Sequence, residues 1–192
     1  MLLSEVGFGT ADLAEDAEDA VYTALTHGYR LIDTARAYGS ESAVGKALKR
    51  ICSDGVHKRE NYIIQTKLMP GVVGYENVLN DFEQSLNNLG TDYIDVYFIH
   101  WPVNRGSERT YHHENVEIWK AFEHLYETGK VKRLGVCNFL ERHLKDILDN
   151  CRVKPTVHQL EIHPGYQQIG LVEYSQKLGM DIEAWSPMGR GE

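Results

Sequence analysis

Short apolar runs alternate with amphipathic helix patterns along almost the whole chain, and this alternation constrains the fold more than any other feature. Seven runs have strand character: residues 5–10, 30–33, 62–67, 92–100, 131–138, 157–162 and 181–186. Six of them are followed by apolar residues at helical spacing, such as Val78, Phe82, Leu86 and Leu89. Because no suitable hairpin turn joins two runs, the pattern predicts a parallel sheet with right-handed helical crossovers.

Two parallel architectures satisfy this pattern, an open doubly wound sheet and a (β/α)₈ barrel. A barrel typically needs about 250 residues, whereas this chain has 192. In either architecture, ligands bind at the carboxyl ends of the strands. The pattern therefore leaves the architecture open but indicates where a site should lie.

Charge and cysteine content narrow the class of protein. The formal net charge is −8, and the three cysteines are Cys52, Cys137 and Cys151. An acidic chain without a basic stripe is a poor match for a nucleic-acid backbone, and no apolar run reaches the length of a membrane span. Neither the cysteines nor the histidines have the spacing of a disulfide framework or a metal site. We expect a cytoplasmic protein with no metal and with neither a nucleic-acid nor a membrane partner.

Polar side chains stand at or just beyond the ends of several predicted strands. Taken singly, each has an ordinary structural explanation, such as a turn cap, a surface lysine or a buried histidine. Since the carboxyl ends of parallel strands meet at one edge, their convergence favours an active site instead. The residues concerned are Asp33 with Tyr38 shortly after it, Lys67, His100, Asn138 and Ser186.

Four of these residue types form a chemically consistent set. A phenol has an ordinary pKa of about 10, and a neighbouring ammonium group favours the phenolate. Lys67 should therefore lower the pKa of Tyr38 and make it a better general acid. Asp33 would hold Lys67 in place, and His100 would form a hydrogen bond with a substrate oxygen.

The partner reaction is most naturally a hydride transfer. Neither a GxSxG elbow nor a Cys–His signature supplies a nucleophile. Such a site protonates an oxygen while a hydride adds to carbon, which implies a cofactor. The fragment Gly7-Phe8-Gly9 begins like a GxGxxG fingerprint, but Asp12 occupies the place of the third glycine, so a Rossmann site is not predicted.

Several segments, in order along nearly the whole chain, resemble the aldo-keto reductase superfamily. They are residues 7–10 (GFGT), 33–35 and 38–41 (DTA and YGSE), 65–67 (QTK), 92–95 and 99–102 (DYID and IHWP), 135–139 (GVCNF), 159–164 (QLEIHP) and 184–189 (AWSPMG). This resemblance implies a (β/α)₈ barrel and an NADPH-dependent oxidoreductase that reduces aldehydes or ketones. It also implies that the cofactor, NADPH or NADP⁺, binds without a Rossmann fold.

The resemblance also implies roles for individual residues. Asp33, Tyr38, Lys67 and His100 match the catalytic tetrad, with Tyr38 as the proton donor. Trp101 would line the substrate pocket beside Tyr38 and His100. The residues expected at the cofactor are Asn138 and Gln159 on the nicotinamide amide, Trp185 stacked on its ring, Ser186 on the pyrophosphate side, Thr10 and Asp33 near the ribose, and also Met188.

The chain also departs from the family pattern. Cys137 stands where many members carry serine, which weakens one amide contact. The expected single barrel domain, residues 1–192, lacks the eighth strand and the segments after it, which would leave an open edge between the first and last strands. A complete barrel is expected to be a monomer, whereas a shortened one could associate through this edge. The shortening also keeps open the alternative of a nucleotide-binding relative with weak or no catalysis.

Overall fold

The computed structural model describes residues 6–103 and 108–189, in which strands and helices alternate as the sequence predicts. The predicted strand residue Glu5 and the chain end at Glu192 lie outside the described residues. The strands are β1 (Gly7–Gly9), β2 (Leu31–Asp33), β3 (Ile63–Lys67), β4 (Ile94–Ile99), β5 (Val131–Cys137), β6 (Val157–Glu161) and β7 (Asp181–Trp185). The helices are α1 (Ala17–Thr26), α2 (Glu41–Cys52), α3 (Tyr75–Leu89), α4 (Tyr111–Glu127), α5 (Glu141–Leu148) and α6 (Ile169–Lys177).

All seven strands form one parallel sheet in the order β1-β2-β3-β4-β5-β6-β7. A doubly wound sheet needs a point where the strand order reverses, and this order has none. The sheet is also curled: Gln159 of β6 donates a hydrogen bond to Asp33 of β2, a strand that is not its neighbour, across the inner face. The architecture is thus that of a partial (β/α) barrel, and β1 and β7 form its two edges within the described residues.

The main core lies between the sheet and the helices that cover it. Helix α3 presents Val78, Phe82, Leu86 and Leu89 to this layer at helical spacing. All six residues of β4 are buried, because this strand is covered on both faces. A smaller apolar cluster fills the inside of the barrel and contains Val96, Phe98, Cys137 and Val157.

Several predicted strands are longer than the observed ones. The fourth strand was expected over residues 92–100 but covers Ile94–Ile99, and the first covers only Gly7–Gly9. The residues trimmed from each end, including His100, lie outside the hydrogen-bonded ladder. His100 therefore lies in the loop after β4 at the carboxyl edge, whereas Asp33 and Lys67 are the last residues of β2 and β3. None of the helices within residues 6–103 and 108–189 has the length and apolar character needed to cross a bilayer.

Candidate active site

A buried ion pair lies at the centre of the carboxyl edge. Asp33 ends β2 and Lys67 ends β3, and the Lys67 Nζ atom lies 2.7 Å from Asp33 Oδ1. The same ammonium group donates to the carbonyl oxygen of Thr34 at 3.0 Å. Lys67 is fully buried, whereas Asp33 keeps 18% of its side chain exposed. Adjacent parallel strands therefore hold this pair in a fixed position.

Tyr38 lies next to the ion pair, and His100 lies next to Tyr38. Tyr38 ends a short 3₁₀ turn, Arg36–Tyr38, which Gly39 closes with a left-handed φ of 70°. The Lys67 Nζ atom lies 5.0 Å from the centre of the Tyr38 ring. The Tyr38 and His100 rings meet edge to face, with their centres 5.6 Å apart. The four side chains expected to form the tetrad therefore lie together at one edge of the sheet.

The electrostatics of Tyr38 differ from the expectation. Burial raises the pKa of Tyr38 above its ordinary value, although the charge of Lys67 and a hydrogen bond from it lower this pKa. The Asp33 carboxylate adds to the rise. Lys67 thus lowers the pKa of Tyr38 as predicted, but the expected net lowering is wrong, because the sequence pattern shows the cation and not the burial that outweighs it. A phenol in this site stays protonated at neutral pH.

Lys67 and His100 have opposite charge states. Burial by itself lowers the pKa of Lys67, but Asp33, Tyr38 and Cys137 together outweigh it and raise the pKa above its ordinary value. Burial lowers the pKa of His100 to about 4, and the nearby Lys67 charge acts in the same direction. At neutral pH, Lys67 is therefore an ammonium ion and His100 a neutral imidazole.

A second group of side chains follows the ends of β5, β6 and β7. The Trp185 Nε1 atom donates to Asn138 Oδ1 at 3.0 Å, and Asn138 Nδ2 donates to the His100 carbonyl oxygen at 3.2 Å. The Cys137 thiol lies 3.6 Å from Gln159 Oε1, which it approaches as a weak donor. The amide of Asn138 thus connects Trp185 to the loop that carries His100.

Two residues of this group have an unusual backbone conformation. Asn138 has a φ of 63° and Ser186 a φ of 49°, both in the left-handed region that non-glycine residues rarely occupy. Each follows the end of a strand, β5 or β7. Strained backbone of this kind concentrates at functional sites, where the surrounding structure holds it in place.

Three of the expected residues lie at the margin of the group. Thr10 is next to Asp33, but its side chain is fully buried and forms hydrogen bonds with Thr34 and Ser40. It therefore stabilises the end of β2 and does not face the open edge. Trp101 stacks beside His100 with ring centres 6.3 Å apart and is 46% exposed. Met188 is 82% exposed beyond β7 and is not drawn into the group.

Two residues inside the barrel, Gln65 and Glu183, were not identified as site residues from the sequence. Gln65 Nε2 donates to Asp33 Oδ1 at 3.0 Å and to Glu183 Oε2 at 2.8 Å. Gln159 Nε2 donates to the same two oxygens, at 3.2 and 3.1 Å. We call this closed arrangement of two carboxylates and two amides the hydrogen-bond square. Strand alternation could have placed Gln65 and Glu183 inside the barrel, because they precede Lys67 and Trp185 by two residues.

The second group has the chemistry needed for a planar ring with an amide substituent. The half-buried Trp185 offers an aromatic face, and the donor beside Gln159 Oε1 within the described part of the chain is only the Cys137 thiol, which is weak. Amide groups come from Asn138, directly after β5, and from Gln159 on the neighbouring strand β6. These residues could hold a nicotinamide ring next to the tetrad.

A partial parallel barrel with an Asp–Lys–Tyr–His group at the carboxyl ends of its strands defines a class of barrel oxidoreductases. The sequence model of the aldo/keto reductase family matches residues 5–192, and the chain belongs to this family.

Individual relatives agree with this assignment. The chain is 42% identical over 188 residues to the oxidoreductase YtbE of Bacillus subtilis, covering 97% of this chain and 64% of that protein. It is 38% identical to glyoxal reductase of the same organism, covering 97% and 63%. The structure resembles a Bombyx mori aldo-keto reductase solved in complex with NADP, with a TM-score of 0.87 at 30% identity, covering 96% of this chain and 62% of that one. The chain thus spans less than two thirds of the length of each of these relatives.

Proposed function

We propose that this chain carries the catalytic part of an oxidoreductase that reduces aldehydes or ketones to alcohols with NADPH. The observation that carries the proposal is the fully buried Lys67, held by Asp33 and directed at Tyr38. A buried ammonium group beside a phenol is suited to a site in which that phenol gives up its proton. The neutral His100 beside the Tyr38 ring supports the same assignment.

In this reaction, the carbonyl carbon gains a hydride and the carbonyl oxygen gains a proton. A bound dihydronicotinamide would supply the hydride. The neutral imidazole of His100 donates a hydrogen bond that orients the carbonyl oxygen. Tyr38 transfers its hydroxyl proton to this oxygen as negative charge develops there. Lys67 remains charged and stabilises the phenolate left on Tyr38, which regains a proton from solvent because its side chain is only partly buried.

The relatives support the choice of cofactor and substrate class. One structural relative was solved with NADP, and one sequence relative is named for glyoxal, a small dialdehyde. For this chain we propose NADPH, held by Asn138, Gln159, Trp185, Ser186 and Asp33. Thr10 would hold the end of β2, and with it Asp33, in position. The exposed Met188 would contact the part of the cofactor that lies nearest to solvent.

We propose that Trp101 lines the substrate pocket. This side chain is partly exposed beside His100, so it can offer an apolar wall to a small carbonyl compound.

Replacing Tyr38 with phenylalanine tests this function. Tyr38→Phe removes one hydroxyl group and should lower kcat for NADPH-dependent reduction of small aldehydes by about 10²- to 10⁴-fold. NADPH affinity, measured separately by fluorescence titration of the full-length protein, should stay within a few-fold of the wild type. The matched control is Tyr126→Phe, a half-exposed tyrosine on α4 far from the site, which should leave kcat unchanged.

The outcomes separate the alternatives. Full turnover in Tyr38→Phe contradicts the role of Tyr38 as the acid. A wild-type protein that binds NADPH but turns over no carbonyl compound instead supports the non-catalytic relative. A wild-type protein that does not bind NADPH contradicts both readings.

A further inference from the structure

The hydrogen-bond square determines which way the amide of Gln159 faces. Each amide NH₂ group has two hydrogens, and in the square each hydrogen meets a carboxylate oxygen. A reversed amide would place its carbonyl oxygen against two oxygens that only accept hydrogen bonds. Gln159 must therefore present its nitrogen to the square and its Oε1 atom to the opposite side, where Cys137 Sγ lies 3.6 Å away.

Glu183 stabilises this orientation of the Gln159 amide by accepting a hydrogen bond from its NH₂ group. Without Glu183, the NH₂ group of Gln159 would keep only Asp33 as an acceptor, at 3.2 Å. The thiol of Cys137 is a weak donor and would do little to prevent the amide from turning over. The two strands present these residues as direct neighbours, since Gln159 of β6 pairs in register with Glu183 of β7.

The rest of the Glu183 carboxylate has no other evident task. Its second oxygen, Oε1, is buried and has no hydrogen-bond partner among residues 6–103 and 108–189. Its other oxygen, Oε2, accepts hydrogen bonds from the amide groups of Gln65 and Gln159. A second carboxylate that shares its amide donors with Asp33 is also unfavourable, because two like charges held this close repel each other. A carboxylate in such an unfavourable position is expected to have a role beyond packing.

We propose that Glu183 is a positioning residue for the cofactor: it holds the NH₂ group of Gln159 so that Gln159 Oε1 accepts a hydrogen bond from the nicotinamide carboxamide. This inference rests on the proposed function, since it assumes that a nicotinamide ring binds beside Trp185. Glu183 itself touches neither the cofactor nor the substrate. Its effect should therefore fall on recognition of the carboxamide NH₂ group.

Two conservative variants separate position from charge. Glu183→Gln removes the charge but keeps an acceptor oxygen at the same reach, so it should retain the orientation of Gln159. Glu183→Asp keeps the charge but shortens the side chain by one methylene, so its oxygen should no longer reach both amides. The matched control is Asp181→Asn, two residues earlier on β7, where an exposed carboxylate pairs with Arg133 and lies outside the square.

The readout compares two reduced cofactors by fluorescence titration of the full-length protein. One is NADPH, and the other is its 3-acetylpyridine analogue, in which a methyl ketone replaces the carboxamide and no N–H donor remains. Loss of one hydrogen bond predicts that the wild type prefers NADPH by about tenfold. Glu183→Gln and Asp181→Asn should keep this preference. Glu183→Asp should lose it through weaker NADPH binding alone, with the affinity for the analogue unchanged.

Other results overturn the inference. An unchanged preference in Glu183→Asp, or an equal loss of affinity for both cofactors, would show that Glu183 is only structural. Loss of the preference in Glu183→Gln with retention in Glu183→Asp would assign the effect to charge. A wild type that binds both cofactors equally refutes this inference and leaves the proposed function intact, whereas a wild type that binds neither refutes the proposed function.

Discussion

The ion pair between Asp33 and Lys67 predicts an unequal response to removing its two partners. Lys67→Met leaves a carboxylate that is 18% exposed and still accepts hydrogen bonds from Gln65 and Gln159. Asp33→Asn leaves a fully buried ammonium group without its partner charge, so that only neutral acceptors such as the Thr34 carbonyl oxygen and the Tyr38 hydroxyl oxygen remain beside it among the described residues. Stranding the cation should therefore cost more than stranding the carboxylate.

Removing one partner of a buried pair typically costs about 3–5 kcal/mol. We expect Lys67→Met to fall near the lower end, about 3 kcal/mol, and Asp33→Asn near the upper end, about 5 kcal/mol. The double variant Asp33→Asn/Lys67→Met should cost less than the sum of the two, because it strands neither charge.

The assay is urea unfolding of the three variants and the wild type at neutral pH, followed by circular dichroism. The m-values should agree, so that the midpoints report stability alone. Equal costs for the two single variants, or costs that simply add in the double variant, would refute the reasoning from burial. So would a loss below about 1 kcal/mol in either single variant, which is typical of an exposed pair.

Three further predictions concern acid stability, catalysis and helix packing. Burial lowers the pKa of His158 to about 4 in the folded chain against an ordinary 6.5, so the unfolded chain binds protons first as the pH falls. This histidine alone should therefore contribute a loss of about 3 kcal/mol between pH 6.5 and about pH 4, and His158→Gln should show a flatter decline in urea midpoint than the wild type. His100 also has a pKa of about 4. A plot of kcat/KM against pH should therefore show no inflection near pH 6.5. An inflection there that disappears in His100→Asn would contradict this prediction. A Cβ atom on Gly45 of α2 would lie 2.6 Å from the Asn88 carbonyl oxygen of α3. Gly45→Ala should therefore lower the free energy of urea unfolding by about 1–3 kcal/mol. The control is Gly170→Ala, which has open space around the added Cβ atom and should not destabilise the chain.

The fold was largely predictable because its signals are local. The apolar run before Asp33 and the helical stripe from Val78 to Leu89 each report one element. The choice between a doubly wound sheet and a barrel was not local, since it depends on the order of strands far apart in the chain. The barrel expectation came from the family resemblance, and the consecutive strand order confirms it.

The candidate site was predictable where a side chain ends a strand or directly follows one. Asp33, Lys67 and His100 all do so, and they lie together. The rise in the pKa of Tyr38 could not be predicted, because it depends on burial by residues from several elements. The hydrogen bond from Gln65 to Glu183 joins residues 118 positions apart, and no sequence pattern reports a contact across the inside of a barrel.

The central claim is that Tyr38 donates the proton and His100 orients the carbonyl oxygen. The most direct test is a crystal structure of the full-length protein with NADP⁺ and an unreactive carbonyl compound. The account predicts that the carbonyl oxygen lies roughly 2.6–3.2 Å from both the Tyr38 hydroxyl oxygen and a ring nitrogen of His100, with the nicotinamide ring against Trp185. A carbonyl oxygen bound away from Tyr38, with the nicotinamide ring elsewhere on the barrel, would contradict it.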